Sequence, residues 1–259
     1  MAIAQIALDS GLLSQQTVAA ATALIEFLNP SYPASGVSFV DAACWADDIR
    51  SSEGFGDWHF IDFPVCRKAS GGCPEPGPAD NAIWALEQGS ATLRNSSATL
   101  QKARMLRFLI HIAGDIHQPL HASDYFSAQF PSGDLGGNKW PIRVPPPFPY
   151  PSTNLHSYWD EGLGRWTQQL RRPLNSSGKA WVGALSAEVR AEFPAASLQP
   201  EIKDANVTAW AAQAHAIAEE FVYSAPQAPD EIPAAYTAEG QGIVLKQLAL
   251  AGYRLADTL

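Results

Sequence analysis

Basic residues and cysteine are both scarce. Lys and Arg number 17 against 26 Asp and Glu, a net charge of −9. That excludes a protein that coats nucleic acid through bulk positive charge, though not an enzyme whose cations are metal ions. No run approaches the ~18 consecutive apolar residues of a membrane span. Charged residues make up only 17% of the chain, below the roughly 25% of an average soluble protein. The surface is therefore rich in neutral polar residues and in proline, of which there are 20. With 46% apolar residues the chain is not disordered. The start, MAIAQIALDSGLL, has neither a basic n-region nor a cleavage site and reads as the inside of a helix rather than a signal peptide. Of the three cysteines, Cys66 and Cys73 flank a Gly-rich loop and could close a small disulfide. Cys44 stands among Ala and Trp and is expected to be a buried thiol. Three sequons, at Asn95, Asn175 and Asn206, favour secretion weakly.

Helical periodicity dominates what is present. Ser14 is predicted to cap a helix running to Asn29, where Pro30 stops it. Ser38 is predicted to cap FVDAACWADDIR, Asp80 to open NAIWALEQGSATL, and Ser97 to open a long helix that Pro119 ends. Asn154 or Ser152 caps LHSYWDEGL, and further helices are expected around Trp181–Phe193, Ala205–Tyr223 and Thr237–Thr258. No long alternating run predicts a sheet. Residues 131–153 read as a Gly/Pro-rich loop with room for a short hairpin, and 225–233 as the nearest thing to a linker. One mainly α domain over residues 1–259, a multi-helix unit with long Gly/Pro-rich loops, is the simplest reading.

Histidine and aspartate carry the chemistry. His111 and Asp115 are four residues apart on a predicted helix, so both point to one side, and His156 and Asp160 repeat the spacing on another. His121 lies just past the first helix and can fold back toward it. Imidazole and carboxylate are the usual ligands of hydrolytic zinc, and a four-residue spacing supplies two ligands from one rigid element. An isolated pair of this kind is more often a surface hydrogen bond. Here the charges crowd an apolar stretch and call for a counter-cation.

The segments WADDIR, WHFID, FLIHIAGDIHQPLH, GGNK, NLHSYWDEGL and GYRLA, in this order, resemble the S1/P1 nuclease family of zinc-dependent single-strand-specific nucleases and 3'-nucleotidases. The resemblance covers nearly the whole chain. It implies a fold of the phospholipase C/P1 nuclease type. Carried over residue by residue, it implies one zinc on Asp47, His59, His111 and Asp115 and a second on His121, His156 and Asp160. The family's third zinc is held by a Trp-Gly-x-x-Gly-His opening and bridged by the position of Asp115. This sequence does not contain that opening, so the expectation is an N-terminally truncated chain with two complete Zn2+ sites.

The resemblance further gives Asp47 the role of orienting or deprotonating water and Arg50 that of neutralising phosphate, although Arg50 alone could pair with Asp47 or Asp48. Phe60 and Asp62 match a base pocket, and Asn138 a loop contact to substrate. His117 is expected beside the site or exposed, and His215 to be structural. Trp45, Trp58 and Trp159 are expected to brace the ligands. The implied activity is hydrolysis of single-stranded DNA or RNA and of 3'-nucleotides to leave 5'-phosphates, by a secreted or otherwise extracytoplasmic monomer. Two rivals stand beside it: a zinc phospholipase C-like esterase, against which WHFID speaks, and an inactive zinc-binding remnant.

Overall fold

The computed structural model describes residues 1–32, 37–67, 73–146, 154–166 and 168–259. Helix α1 (Ala2–Asp9) lies where the opening residues read as helix interior. In α2 (Gln15–Leu28), Ser14 caps the first turn by accepting from Thr17 N, as the sequence predicts. Ser38 accepts from Asp41 N at the start of a short 3-10 turn, Asp41–Cys44, which feeds directly into α3 (Trp45–Glu53). Helix α4 (Ala82–Asn95) is capped by Asn81, not Asp80, because the Asn81 side chain reaches both Ile83 N and Trp84 N. Helix α5 (Thr99–Asp115) is preceded by Ala98 rather than opened by Ser97, and it ends at Asp115, four residues before Pro119. A separate 3-10 turn, Pro119–His121, follows.

Helix α6 (Leu155–Asp160) is capped by Asn154, and the alternative cap Ser152 lies outside the described residues. The C-terminal half comprises α7 (Ser176–Glu192), α8 (Gln199–Lys203), α9 (Val207–Glu220) and α10 (Ala234–Thr258). Two of the three sequon asparagines turn out to be helix caps: Asn175 accepts from Gly178 N and Asn206 from Ala209 N. Among the described residues no helix is long and apolar enough to cross a membrane.

A small parallel sheet is the main departure from the all-helical expectation. Strand β1 (Phe63–Cys66) pairs with β2 (Ser123–Phe126), Phe63 opposite Ser123. Cys66 and Cys73 form the disulfide, while Cys44 is free and only half-buried. Residues 225–233 are no linker. Ala228 N donates to Pro141 O and Ile232 N to Arg143 O, and Ile232 is buried. This segment straps the Gly/Pro-rich loop onto the body. That loop makes an antiparallel bridge, Pro141 with Asn154, while residues 147–153 lie outside the described set.

The core runs from α2 through α5 to α10. Gly252 lets α1 dock on α10, since a Cβ there would lie 2.4 Å from Ile6. Trp45 is wholly buried and meets Tyr32 and Phe108 edge-on at 5.4 and 5.1 Å. Trp45→Ala is expected to cost about 3–5 kcal/mol, the usual loss for a large aromatic deleted from a core. Urea unfolding monitored by circular dichroism checks this, and a loss under 1 kcal/mol would contradict the packing.

Candidate metal centre

Five short elements converge on one face. Helix α3 carries Asp47 and Arg50, the 3-10 turn Gly56–His59 carries His59, and α5 carries His111 and Asp115. His121 ends the turn after α5, and α6 carries His156 and Asp160. The β1–β2 pairing explains how residues so far apart in sequence meet. His59 precedes β1 and His121 precedes β2, so zipping the strands aligns both. The ladder continues into the site, with Ile61 N donating to His121 O at 2.8 Å and His121 Nδ1 to His59 O at 2.9 Å.

The first cluster is tight. Asp115 Oδ2 lies 3.1 Å from both His59 Nδ1 and His111 Nε2, and those two nitrogens are 3.1 Å apart. Asp47 Oδ1 closes the group at 3.7 Å from His59 and 3.6 Å from His111. In the second cluster Asp160 reaches His121 Nε2 at 3.6 Å with one oxygen and His156 Nε2 at 3.4 Å with the other. Each set brings at least three ligand atoms within 4.8 Å of one another.

Hydrogen bonds away from the clusters fix which nitrogen faces inward. His111 Nδ1 donates to Ala43 O at 2.5 Å and His156 Nδ1 to Gly136 O at 2.7 Å, so the Nε2 lone pair of each is free for a cation. His121 does the same through His59 O. His59 is reversed: its Nε2 is buried without a hydrogen-bond partner among the described residues and its Nδ1 faces the cluster. Gln118 donates to Asp160 Oδ1 at 2.8 Å, holding that half-exposed carboxylate toward the histidines. The sequence motif contained Gln118, but nothing in its spacing marked it as a partner of a residue 42 positions away.

Without a cation the electrostatics are strained. Burial pulls His111 and His121 down, but Asp115 together with Asp47 at His111 and Asp160 at His121 outweighs it, and both are pushed up to about 9. Burial pushes the Asp115 carboxyl up, yet His111 and His121 hold it far below the usual carboxylate range. A divalent cation would replace these protons. The donor set, nitrogen and carboxylate oxygen only, suits zinc.

His59 of the first cluster and His121 and His156 of the second open on one cavity of about 330 Å³. Arg50, His59, Phe60, Asp62, His121, Asn138 and His156 line it. Arg50 is exposed, and among the described residues no acidic partner is recorded for it; Asp48, its rival partner by sequence, binds Arg172 at 2.6 Å instead. Asp62 is pushed up to about 6 by burial and by Asp124 and Asp57.

The remaining candidates fall elsewhere. His117 is buried, with Nδ1 on Ala113 O and Nε2 receiving an Arg254 N–H at 2.9 Å, so it is neutral and supports the turn after α5. Burial, then Arg254, pushes it down to about 3. His215 bonds Ser123 Oγ on β2. Cys44 faces a second cavity beside Asp47 and His111. Trp159 is buried and donates to the Tyr236 hydroxyl, which fixes the helix that carries Asp160.

The S1/P1 Nuclease family model matches residues 1–259. The chain is 29% identical over 242 residues to Endonuclease 3 of Arabidopsis thaliana, covering 88% of this chain and 78% of that one. It is 30% identical over 234 residues to Nuclease P1 of Penicillium citrinum and, at the same identity, to Nuclease PA3 of a Penicillium species, covering 83% of this chain and 81% of each. The chain belongs to the S1/P1 nuclease family.

Proposed function

We propose that this chain is a zinc-dependent hydrolase of single-stranded nucleic acid and 3'-nucleotides. The observation that carries it is a cavity lined by histidines of both His/Asp clusters, by an arginine with no acidic partner among the described residues and by an aromatic–carboxyl pair. Asp47, His59, His111 and Asp115 would hold one ion, and His121, His156 and Asp160 another. Bound there, zinc supplies Lewis acidity toward phosphoryl oxygens and acidifies water.

The chain's own groups do the rest. Asp47 is 59% exposed, so its carboxylate can take a proton from a water that attacks phosphorus. Arg50 neutralises charge on the non-bridging oxygens. The P–O3' bond breaks, and the proton returns to the 3' oxygen. The products are a 5'-phosphate and a 3'-hydroxyl from nucleic acid, and inorganic phosphate and a nucleoside from a 3'-nucleotide. Phe60 offers a ring for a base, and Asp62 a carboxyl that both donates and accepts near pH 6. A base must leave a duplex stack to reach them, which favours single strands. The Cys66–Cys73 disulfide supports an oxidising, extracytoplasmic compartment.

The test is cleavage of matched single- and double-stranded oligonucleotides with zinc, after chelation, and after zinc is restored. Single-strand cleavage that vanishes and returns supports the reading. A zinc-loaded protein inert on single strands and on 3'-AMP refutes it, and turnover of phosphatidylcholine instead would favour the esterase. Phe60→Ala is expected to raise KM for oligonucleotides about tenfold with zinc content unchanged, as for a lost base stack of about 1–3 kcal/mol. An unchanged KM would remove Phe60 from the substrate pocket.

A further inference from the structure

Two buried carboxyls outside the clusters lie beside the turn on which His156 rests. Asp124, on β2, is 5% exposed, and Asp134, in the loop that follows, is 0% exposed. Asp134 Oδ1 accepts from Tyr125 N and from the Tyr223 hydroxyl, each at 3.0 Å. Asp134 Oδ2 is buried with no well-formed hydrogen bond among the described residues, and the carboxyl interacts with the Gly137 N–H and with the Asp124 carboxyl. Two adjacent buried carboxylates cannot both stay ionised, and one proton between them satisfies both. Burial pushes Asp134 up to about 7, which fits its carrying that proton. Gly133 makes room for the pair, because a Cβ there would lie 1.9 Å from Asp124 Oδ2.

Asp124 Oδ1 in turn accepts from Leu135 N at 2.8 Å and Gly136 N at 3.5 Å. These amides belong to a left-handed run, with φ of 57° at Leu135, 58° at Gly136 and 81° at Gly137. A leucine persists there only where its surroundings impose the conformation. The same turn holds His156 twice: Gly136 O accepts from Nδ1 at 2.7 Å, and Gly137 O from the backbone N at 3.3 Å.

We propose that Asp124 and Asp134 are positioning residues for the second metal cluster: their paired carboxyls impose the Leu135–Gly137 turn, whose Gly136 carbonyl aims His156 Nε2 at Asp160. The proposal rests on reading His121, His156 and Asp160 as a zinc site. No conserved spacing or ligand motif is needed for it. It follows from a chain of hydrogen bonds that runs from β2 to the imidazole.

The test measures zinc binding to the full chain by chelator competition and elemental analysis, with kcat/KM on a single-stranded oligonucleotide read in parallel. Asp124→Ala removes the acceptor for both amides. Zinc bound through His156 is expected to weaken at least ~10-fold while the other site is unchanged. Asp134→Asn, whose amide N–H donates to Asp124 as the shared proton does, is expected to keep the wild-type zinc affinity. If Asp124→Ala does not fold, Asp124→Ala/Leu135→Gly is compared with Leu135→Gly, since glycine enters the left-handed turn without strain yet does not fix it there. Weaker zinc in the double variant supports the proposal. Equal affinity in that pair, wild-type affinity in Asp124→Ala, or an Asp134→Asn loss as large as that of Asp124→Ala overturns it. A wild type whose zinc content is unaffected by His156→Ala overturns the zinc-site reading as well, and that control tells the two failures apart.

Discussion

Asp115→Ala should lower kcat/KM on single-stranded DNA by at least ~10³, the scale of several kcal/mol of lost transition-state stabilisation. The reason is geometric. Asp115 Oδ2 touches both imidazoles of the first cluster at 3.1 Å, whereas Asp47 stands at 3.6 Å or more and is mostly exposed. Without Asp115, two histidine nitrogens 3.1 Å apart face each other with one loosely held carboxylate between them and bulk water. That set keeps three ligands but loses the carboxylate nearest both imidazoles, and it is expected to hold zinc more weakly. Elemental analysis should find the first cluster depleted and the second still loaded, because His121, His156 and Asp160 lose no direct ligand. Asp160→Ala should give the reverse pattern. An Asp115→Ala protein that keeps both its zinc and its activity would refute the first site.

The two clusters were partly legible because they lean on local geometry. A four-residue spacing on a helix brings side chains together whatever the tertiary fold, so His111 with Asp115 and His156 with Asp160 could be read directly. Asn154, an asparagine just before an apolar run, likewise announced its cap. Other features depend on distant partners and left no periodic trace. Strands β1 and β2 are four residues each and pair in parallel across some sixty positions, too short for alternation to show. Yet that pairing seats His59 and His121.

Helix boundaries failed at two ends. Asn81, not the predicted Asp80, caps α4, and α5 closed at Asp115 rather than at Pro119. Segment 225–233 looked like a linker by composition, but its amides complete the edge of a loop that only the fold brings near. Asp124, Asp134 and Gln118 were invisible as partners because acids and amides scattered in loops carry no pattern until their hydrogen bonds are known.

Zinc affinity should climb about tenfold per pH unit between about pH 6 and pH 8, one proton leaving each cluster as its ion enters. His111 and His121 set this slope. In the metal-free chain both stand at about 9: burial favours the neutral ring, but Asp115, with Asp47 at His111 and Asp160 at His121, more than offsets it. A protonated imidazole is no ligand, so an entering zinc must expel these protons. His156 adds little, since burial lowers it below its usual 6.5.

The same shifts predict opposite stability trends for the two forms. In the metal-free chain the raised histidines contribute stability that is fully present below 6.5 and fades as the pH rises toward 9. The depressed Asp115 contributes stability above the ordinary carboxylate range, lost only in acid. The metal-free protein should therefore melt at progressively lower temperature from about pH 6.5 to pH 9, while at fixed free zinc the loaded protein gains over the same interval as binding tightens. Competition with a chromogenic chelator at three pH values, with melting curves for both forms, measures both trends. A dissociation constant that stays flat from pH 6 to pH 8 would mean that His111 and His121 are already neutral in the free protein, and the ion-paired reading of the empty clusters would fall.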